Sequence, residues 1–143
     1  LDEALAVQVL EERVPFLGVC LGMQLLASIG CEVEETKGLG WIDAQATRLV
    51  ATGTEHRIPH VGWNEVRPVR DSPLFSGIPP NADFYFVHSF HVVCADDADV
   101  LATTPYCGGF TSVVQHEHVF GVQFHPEKSQ QYGLRLLKNF LTV

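Results

Sequence analysis

The sequence has few of the features that mark membrane, secreted or nucleic-acid-binding proteins. None of its apolar runs approaches the ~20 residues that a membrane-spanning helix requires, and it opens without a secretory signal pattern. Only 9 basic residues stand against 17 acidic ones, giving a net charge of −8. This balance argues against the basic surface expected for non-specific binding to nucleic acid. We therefore expect a cytoplasmic protein that binds neither membrane nor nucleic acid.

Cysteine is also scarce. The sequence has four cysteines, Cys20, Cys31, Cys94 and Cys107. Their spacing fits neither a CxxC motif nor a zinc-binding pattern. A chain of 143 residues can bury enough apolar surface to fold without disulfides, which suits a reducing compartment. The sequence therefore predicts no disulfide, no metal site and no cofactor.

The length suits one domain, residues 1–143. An apolar helical stripe over residues 1–13 precedes a short buried strand at 14–19 and an apolar helix at 21–29, with Gly30 as its C-cap. Helix, buried strand and helix in succession are typical of a parallel α/β sheet. Short β-like runs follow at residues 46–51, 64–69, 84–87, 91–94 and 100–104. A hairpin is predicted over 110–115 and 119–124, and a last helix begins after Ser129. The fold class predicted is α/β, with a mixed, largely parallel sheet flanked by helices.

A candidate nucleophile stands where the first strand meets the second helix. Cys20 lies between Gly18 and Gly22 in the G-x-nucleophile-x-G form of a nucleophile elbow. The glycines are expected to remove Cβ atoms that would clash in the tight turn, and the helix N-terminus is expected to favour the thiolate. The backbone N–H of Leu21 would face a developing oxyanion. The competing interpretation is an inert buried thiol, the usual fate of a free cysteine.

A candidate base and its orienting acid follow the last predicted strand. His125 and Glu127 flank Pro126, and positions i and i+2 of an extended chain project to the same side. A carboxylate on one imidazole nitrogen leaves the other free to take the proton of a thiol. Alone, the pair is better interpreted as a surface ion pair that closes a strand. Together with a cysteine elbow, it predicts a Cys-His-Glu triad.

These segments resemble the two hallmark motifs of class I, triad-type glutamine amidotransferases, which have a flavodoxin-like fold. The motifs are residues 19–24, Val-Cys-Leu-Gly-Met-Gln, and residues 124–127, Phe-His-Pro-Glu. The resemblance implies that Cys20 attacks the side-chain amide of glutamine, with His125 as base and then acid. It also implies that glutamine is held by Leu21, Gln24, His88, Ser89 and Phe90.

Within that class, nearly the whole chain resembles the glutaminase subunits of imidazole glycerol phosphate synthases. The runs that carry this likeness include residues 59–64, Pro-His-Val-Gly-Trp-Asn, and 125–129, His-Pro-Glu-Lys-Ser. The resemblance implies a heterodimer with a cyclase of (β/α)₈ fold, which uses the ammonia to make imidazole glycerol phosphate and aminoimidazole carboxamide ribotide in histidine synthesis. It places Trp63, Asn64, Tyr85 and Lys128 toward that barrel. Trp63 beside Asn64 is equally consistent with core packing and a turn.

Members of this family begin with sheet strands and a Gly-rich loop that are not found before Leu1. We therefore expect a chain without its N-terminal strands and without a second oxyanion donor, and we expect it to be inactive alone. Three other functions remain open. They are an amidotransferase subunit of another synthase (anthranilate, aminodeoxychorismate or GMP), a catalytically silent module of the same fold, and a cysteine hydrolase of that fold.

Overall fold

The computed structural model describes residues 2–143. Three α-helices occur in this range: α1 (Asp2–Ala6), α2 (Leu21–Leu25) and α3 (Gln130–Phe140), and α1 continues as a π-helical turn, Val7–Glu11. The first five strands are β1 (Phe16–Val19), β2 (Ala27–Cys31), β3 (Glu35–Lys37), β4 (Ile42–Arg48) and β5 (His60–Pro68). The other five are β6 (Ala82–His88), β7 (Phe90–Cys94), β8 (Val100–Thr104), β9 (Phe110–His116) and β10 (Val119–Val122). No helix in residues 2–143 is both long and apolar enough to cross a membrane.

The strands form one mixed sheet in the order β3-β2-β4-β7-β9-β8-β5-β6, and β10 joins β9 to β1. The mixed character predicted from the sequence is confirmed, but the prediction of a largely parallel sheet is wrong. Only β1 with β10 and β2 with β4 pair in parallel among the described strands. The connections at residues 105–109, between β8 and β9, and at 117–118, between β9 and β10, are too short for a parallel crossover and so require antiparallel pairing.

The second predicted helix is shorter than expected. The sequence predicts it over residues 21–29, but α2 ends at Leu25, and β2 starts at Ala27. The carbonyls that would continue the helix are taken by the following loop: Leu39 N–H donates to Leu25 O at 2.8 Å, and Trp41 N–H donates to Leu26 O at 3.0 Å. Gly30 therefore lies within β2 rather than at a helix C-cap, because tertiary pairing overrides the local helical pattern.

The other predicted elements overlap observed ones, although the run at 46–51 shares only residues 46–48 with β4, and β5 starts four residues before the run predicted at 64–69. The run at 100–104 coincides with β8, and the predicted hairpin is β9 and β10, which pair antiparallel around residues 117–118. The predicted last helix is α3, and its Leu136 is fully buried. Leu136 joins an aromatic core that includes Phe84, Phe86 and Phe124. This core lies directly behind the segment that carries His125, and so it fixes the position of one side of the candidate site.

Candidate active site

The candidate site forms where two parallel strands end at the same edge of the sheet. β1 and β10 are paired up to Val19 and Val122. Cys20 follows the first strand, and its N–H donates to Val122 O at 2.8 Å. His125 lies three residues beyond the end of β10. Because parallel strands end side by side, the topology brings together the segments that carry the cysteine and the histidine.

Cys20 has the strained backbone of an elbow. Its φ of 51° and ψ of −105° lie in a region that residues other than glycine seldom adopt. Gly18 is required there, since a Cβ on it would lie 2.6 Å from the carbonyl carbon of Gly22. Gly22 is not required on the same ground, because a Cβ there would meet nothing within 4 Å. The predicted steric role therefore holds for the first glycine and is wrong for the second.

The Cys20 thiol lies between a carbonyl and an amide. Its Sγ is 3.9 Å from Val87 O, toward which the thiol donates, and 3.8 Å from Gln123 Nε2, which donates to the sulfur. Burial raises the pKa of Cys20, and this effect outweighs the hydrogen bond from the Leu21 N–H, which lowers it. The start of α2 therefore favours the thiolate as expected, through the Leu21 N–H, but burial reverses the net direction of the pKa. α2 is only five residues long, so its dipole is weak, and the negative charge of Glu127 also raises the pKa of the thiol.

His125 and Glu127 meet as the spacing predicts. His125 Nδ1 and Glu127 Oε1 are 2.8 Å apart, and the histidine side chain is 20% exposed. The carboxylate accepts from Nδ1–H and so leaves Nε2 free to act as a base. The His125 N–H donates to Tyr85 O at 2.9 Å, which ties this turn to β6.

Ser129 holds the same turn from behind. Its hydroxyl donates to His125 O at 2.6 Å and accepts from the Tyr85 N–H at 3.0 Å. Ser129 precedes α3 as predicted, but its side chain makes no capping hydrogen bond to the helix. Its hydroxyl instead joins the histidine segment to β6.

The thiol of Cys20 and the imidazole of His125 make no hydrogen bond to each other among the described residues. Within residues 2–143, the hydrogen-bond partners of Cys20 Sγ are Val87 and Gln123, and His125 is not among them. The charges of Glu127 and Lys128 nevertheless act on the pKa of Cys20, which shows that the turn after β10 lies near the sulfur. The structure thus brings the three predicted triad residues to one edge of the sheet, with only the His-Glu pair joined by a hydrogen bond.

Three of the predicted glutamine-holding residues converge on one backbone carbonyl. Phe90 O accepts from His88 Nδ1–H at 2.7 Å and from Gln24 Nε2–H at 3.3 Å. Leu21 is 59% exposed at the start of α2. Ser89 lies between β6 and β7, where its carbonyl accepts from the Leu49 N–H at 2.8 Å. Only Gln24, His88 and Phe90 are therefore linked to one another by these contacts.

Gln123 is a site residue that the sequence reasoning missed. It is fully buried, and its Oε1 accepts from Gln24 Nε2–H at 3.4 Å while its own Nε2 faces Cys20 Sγ. The available signal was its spacing, because Gln123 stands two residues before His125 and projects to the same side of an extended chain. A buried polar side chain in an otherwise apolar strand requires such partners.

The predicted partner-facing residues divide between two faces of the β5–β6 hairpin. Trp63 pairs with Tyr85 across the strands, and their rings make an edge-on contact at 5.9 Å. Trp63 is 48% exposed, and Val61 and Val87 on the same face are also exposed. Asn64 faces the opposite side, where its Nδ2–H donates to His60 Nε2 at 3.2 Å. Lys128 is exposed in the turn after His125.

No group of three or more histidine, cysteine, aspartate or glutamate side chains that could hold a metal ion occurs in the described part of the chain. The side chains at this edge supply a thiol, an imidazole–carboxylate pair and several amides. Such a set suits nucleophilic attack on a carbonyl carbon followed by proton transfer to the leaving group.

Residues 2–143 match the family Glutamine amidotransferase class-I. The chain belongs to this family. Solved structures agree on the fold: a glutamine amidotransferase from Thermotoga maritima superposes with a TM-score of 0.64 at 22% identity over 99% of this chain and 53% of that one. A protein from Thermoplasma acidophilum that is named for GMP synthase superposes with a TM-score of 0.70 at 20% identity, covering 99% and 62% of the two chains.

Curated relatives narrow the likeness to one branch of the family. The imidazole glycerol phosphate synthase subunit HisH of Salinibacter ruber is 51% identical over 134 residues, which are 91% of this chain and 62% of that protein. The subunit HisH of Pelagibacter ubique is 41% identical over 92% of this chain and 63% of its own length. HisH 1 of Campylobacter jejuni is 46% identical over 99% of this chain and 69% of its own length. The chain thus spans about two thirds of the length of the curated relatives it matches.

Proposed function

We propose that this chain supplies the glutaminase site of an imidazole glycerol phosphate synthase, with Cys20, His125 and Glu127 as its triad. The observation that carries the proposal is the 2.8 Å pairing of His125 with Glu127 at the end of the strand that runs parallel to the strand before Cys20. The likeness to HisH subunits supports the choice of glutamine as substrate.

The raised pKa of Cys20 defines the first step. The thiol is protonated at rest, so His125 removes its proton as the sulfur attacks the amide carbon of glutamine. A C–S bond forms, and the C–N bond breaks as the imidazolium protonates the leaving nitrogen, which departs as ammonia. Water then attacks the thioester, again with His125 as base, and releases glutamate and the thiol. Glu127 stabilises the imidazolium in both steps.

We further propose that the ammonia passes to a cyclase partner with a (β/α)₈ barrel. The support is an exposed apolar surface formed by Val61, Trp63, Tyr85 and Val87 on the outer face of β5 and β6. Aromatic residues are enriched at the buried centres of protein interfaces. This surface adjoins the nucleophile, because Val87 O is the carbonyl beside Cys20 Sγ. Lys128 is exposed in the turn after His125, whose N–H donates to Tyr85 O, so we place it beside this surface. We also assign Asn64, on the opposite face of β5, to the partner interface.

Labelling with an electrophilic glutamine analogue tests the proposed nucleophile. The wild-type chain is expected to gain one adduct at Cys20, measured by mass spectrometry, and to release glutamate from glutamine when the cyclase is present. Cys20→Ala should abolish both, while Cys31→Ala, which changes a half-buried free cysteine in β2, should abolish neither. Equal labelling of the two variants would contradict the proposed nucleophile. If another synthase, and not the cyclase, activated glutamine hydrolysis by the wild-type chain, the proposed partner would be wrong.

A further inference from the structure

Two buried histidines meet inside the β5–β6 hairpin, at the end farthest from its turn. His60 and His88 are directly opposite in the strand register, and they are 3% and 6% exposed. His60 Nδ1 lies 2.9 Å from His88 Nε2. The ring of His60 is stacked against Tyr106, with the ring centroids 4.0 Å apart. Neither histidine belongs to the proposed triad, so their burial needs another explanation.

The neighbours of the two rings fix every proton in the contact. Asn64 Oδ1 accepts from the Glu65 N–H at 2.9 Å, so Asn64 Nδ2–H is the group that faces His60 Nε2. At the other end, Phe90 O can only accept, so His88 Nδ1 carries a proton.

Burial lowers the pKa of both histidines to about 4, so each ring is neutral near pH 7 and carries one proton. His88 Nε2 is then bare and accepts from His60 Nδ1–H, and His60 Nε2 is bare and accepts from Asn64. The result is a directional chain of hydrogen bonds from Asn64 through His60 and His88 to the Phe90 carbonyl. Both rings hold their proton on Nδ1.

The far end of this chain reaches the proposed active site. The Phe90 carbonyl also accepts from Gln24 Nε2–H at 3.3 Å. The same amide donates to Gln123 Oε1 at 3.4 Å, and Gln123 Nε2 lies 3.8 Å from Cys20 Sγ. The position of the Phe90 carbonyl therefore helps to set the position of the Gln24 amide. Through Gln123, it also influences the position of the Cys20 thiol.

We propose that His60 and His88 are positioning residues, whose hydrogen-bonded rings hold the Phe90 carbonyl and thereby the Gln24 side chain in the geometry that binds glutamine beside Cys20. This inference rests on the proposed glutaminase function. His88 acts directly on the carbonyl. His60 acts through His88, and it touches neither Gln24 nor Cys20 by any hydrogen bond in the described residues.

Kinetics of three variants, assayed with the cyclase, test the inference. His60→Phe keeps an aromatic ring beside Tyr106 but removes both hydrogen bonds. We expect it to raise KM for glutamine about tenfold and to change kcat less than threefold, because substrate positioning is loosened while the triad is intact. His60→Asn, whose side-chain amide can still donate toward His88, should restore most of the loss. The matched control is His91→Phe. His91 is half-buried and takes no part in the hydrogen bonds from Asn64 to Phe90, so this variant should leave KM within twofold.

Nitrogen-15 NMR of the wild-type chain gives a second readout that does not depend on turnover. Both His60 and His88 should show the Nδ1–H tautomer, unchanged between pH 5.5 and 8. A proton on Nε2 of either ring, or equal KM values for His60→Phe and His91→Phe, would overturn the inference. Absence of glutamine hydrolysis by the wild-type complex would instead overturn the proposed function, even if the tautomers are as expected.

Discussion

Ser129 and Ser112 are two buried serines with opposite hydrogen-bond environments. Ser129 is 1% exposed, and its hydroxyl both donates to His125 O and accepts from the Tyr85 N–H. Ser112 is fully buried, and its hydroxyl has no hydrogen-bond partner among the described residues. A buried polar group stabilises a fold only when it is paired, so the two hydroxyls contribute to stability in opposite directions.

Replacing these serines should separate the two effects. Ser129→Ala leaves a backbone carbonyl and a backbone N–H without their partner, and we expect the free energy of unfolding to fall by about 1–3 kcal/mol. Ser112→Ala removes an unpaired hydroxyl, and we expect no loss of stability. Urea denaturation followed by circular dichroism measures both values. A destabilisation by Ser112→Ala as large as that of Ser129→Ala would contradict this account.

At the scale of elements, the turn between β1 and α2 sets the position of the nucleophile. The two strands that flank the site are fixed by parallel pairing up to Val19 and Val122, and the chain must then reverse within one residue to begin α2. Cys20 absorbs that reversal at φ 51°. The reversal brings the backbone of α2 so close to β1 that Gly18 has no space for a Cβ.

The two glycines of the elbow should therefore respond differently to the same substitution. Gly18→Ala places a methyl group 2.6 Å from the backbone of Gly22, and overpacking of this kind costs about 1–3 kcal/mol. Gly22→Ala places its methyl group in open space inside α2, where alanine is favoured over glycine by up to about 1 kcal/mol. The free energies of unfolding of the two variants give the comparison. Equal destabilisation would show that the close approach at Gly18 is not decisive.

The elements that could be predicted from the sequence are those with a local signal. The β9–β10 hairpin, α3 and the His125–Glu127 pair follow from alternation, helical period and i, i+2 spacing. The end of α2 could not be predicted, because the loop that takes the carbonyls of Leu25 and Leu26 comes from more than ten residues later. Gln123 and the His60–His88 contact were missed for the same reason, since the partners of Gln123 are Cys20 and Gln24, about a hundred residues earlier, and His88 lies 28 residues from His60 on another strand.

The thiol of Cys20 shows a different limit. Its place at a helix start suggested a lowered pKa, but the direction is set by how deeply the folded chain buries the sulfur. Burial is a property of the assembled sheet and cannot be read from the elbow motif alone. The direction of the pKa of Cys20 therefore depends on the folded structure, whereas the candidate triad residues could be named from the sequence.

For the whole molecule, the buried histidines link folding to pH. In the unfolded chain a histidine takes up a proton near its ordinary pKa of 6.5, whereas in the folded chain the pKa values of His60 and His88 are about 4. The charges of His88 and His56 lower the pKa of His60 further, and those of His91 and His125 lower the pKa of His88. The hydrogen bond to the Phe90 carbonyl raises the pKa of His88, but burial outweighs it. Between pH 6.5 and 4 the unfolded state binds more protons, so acid favours unfolding.

The stability that these rings contribute is fully present above pH 6.5 and is lost as the pH falls toward 4. Lowering the pH from 7.5 to 5 should cost the fold about 2 kcal/mol for each of the two histidines. Urea denaturation of the wild-type chain at both pH values measures this difference. In His60→Phe the difference should shrink by about 2 kcal/mol, since one of the two linked groups is gone. If the variant loses as much stability on acidification as the wild type, the buried histidines do not control the response of this fold to acid.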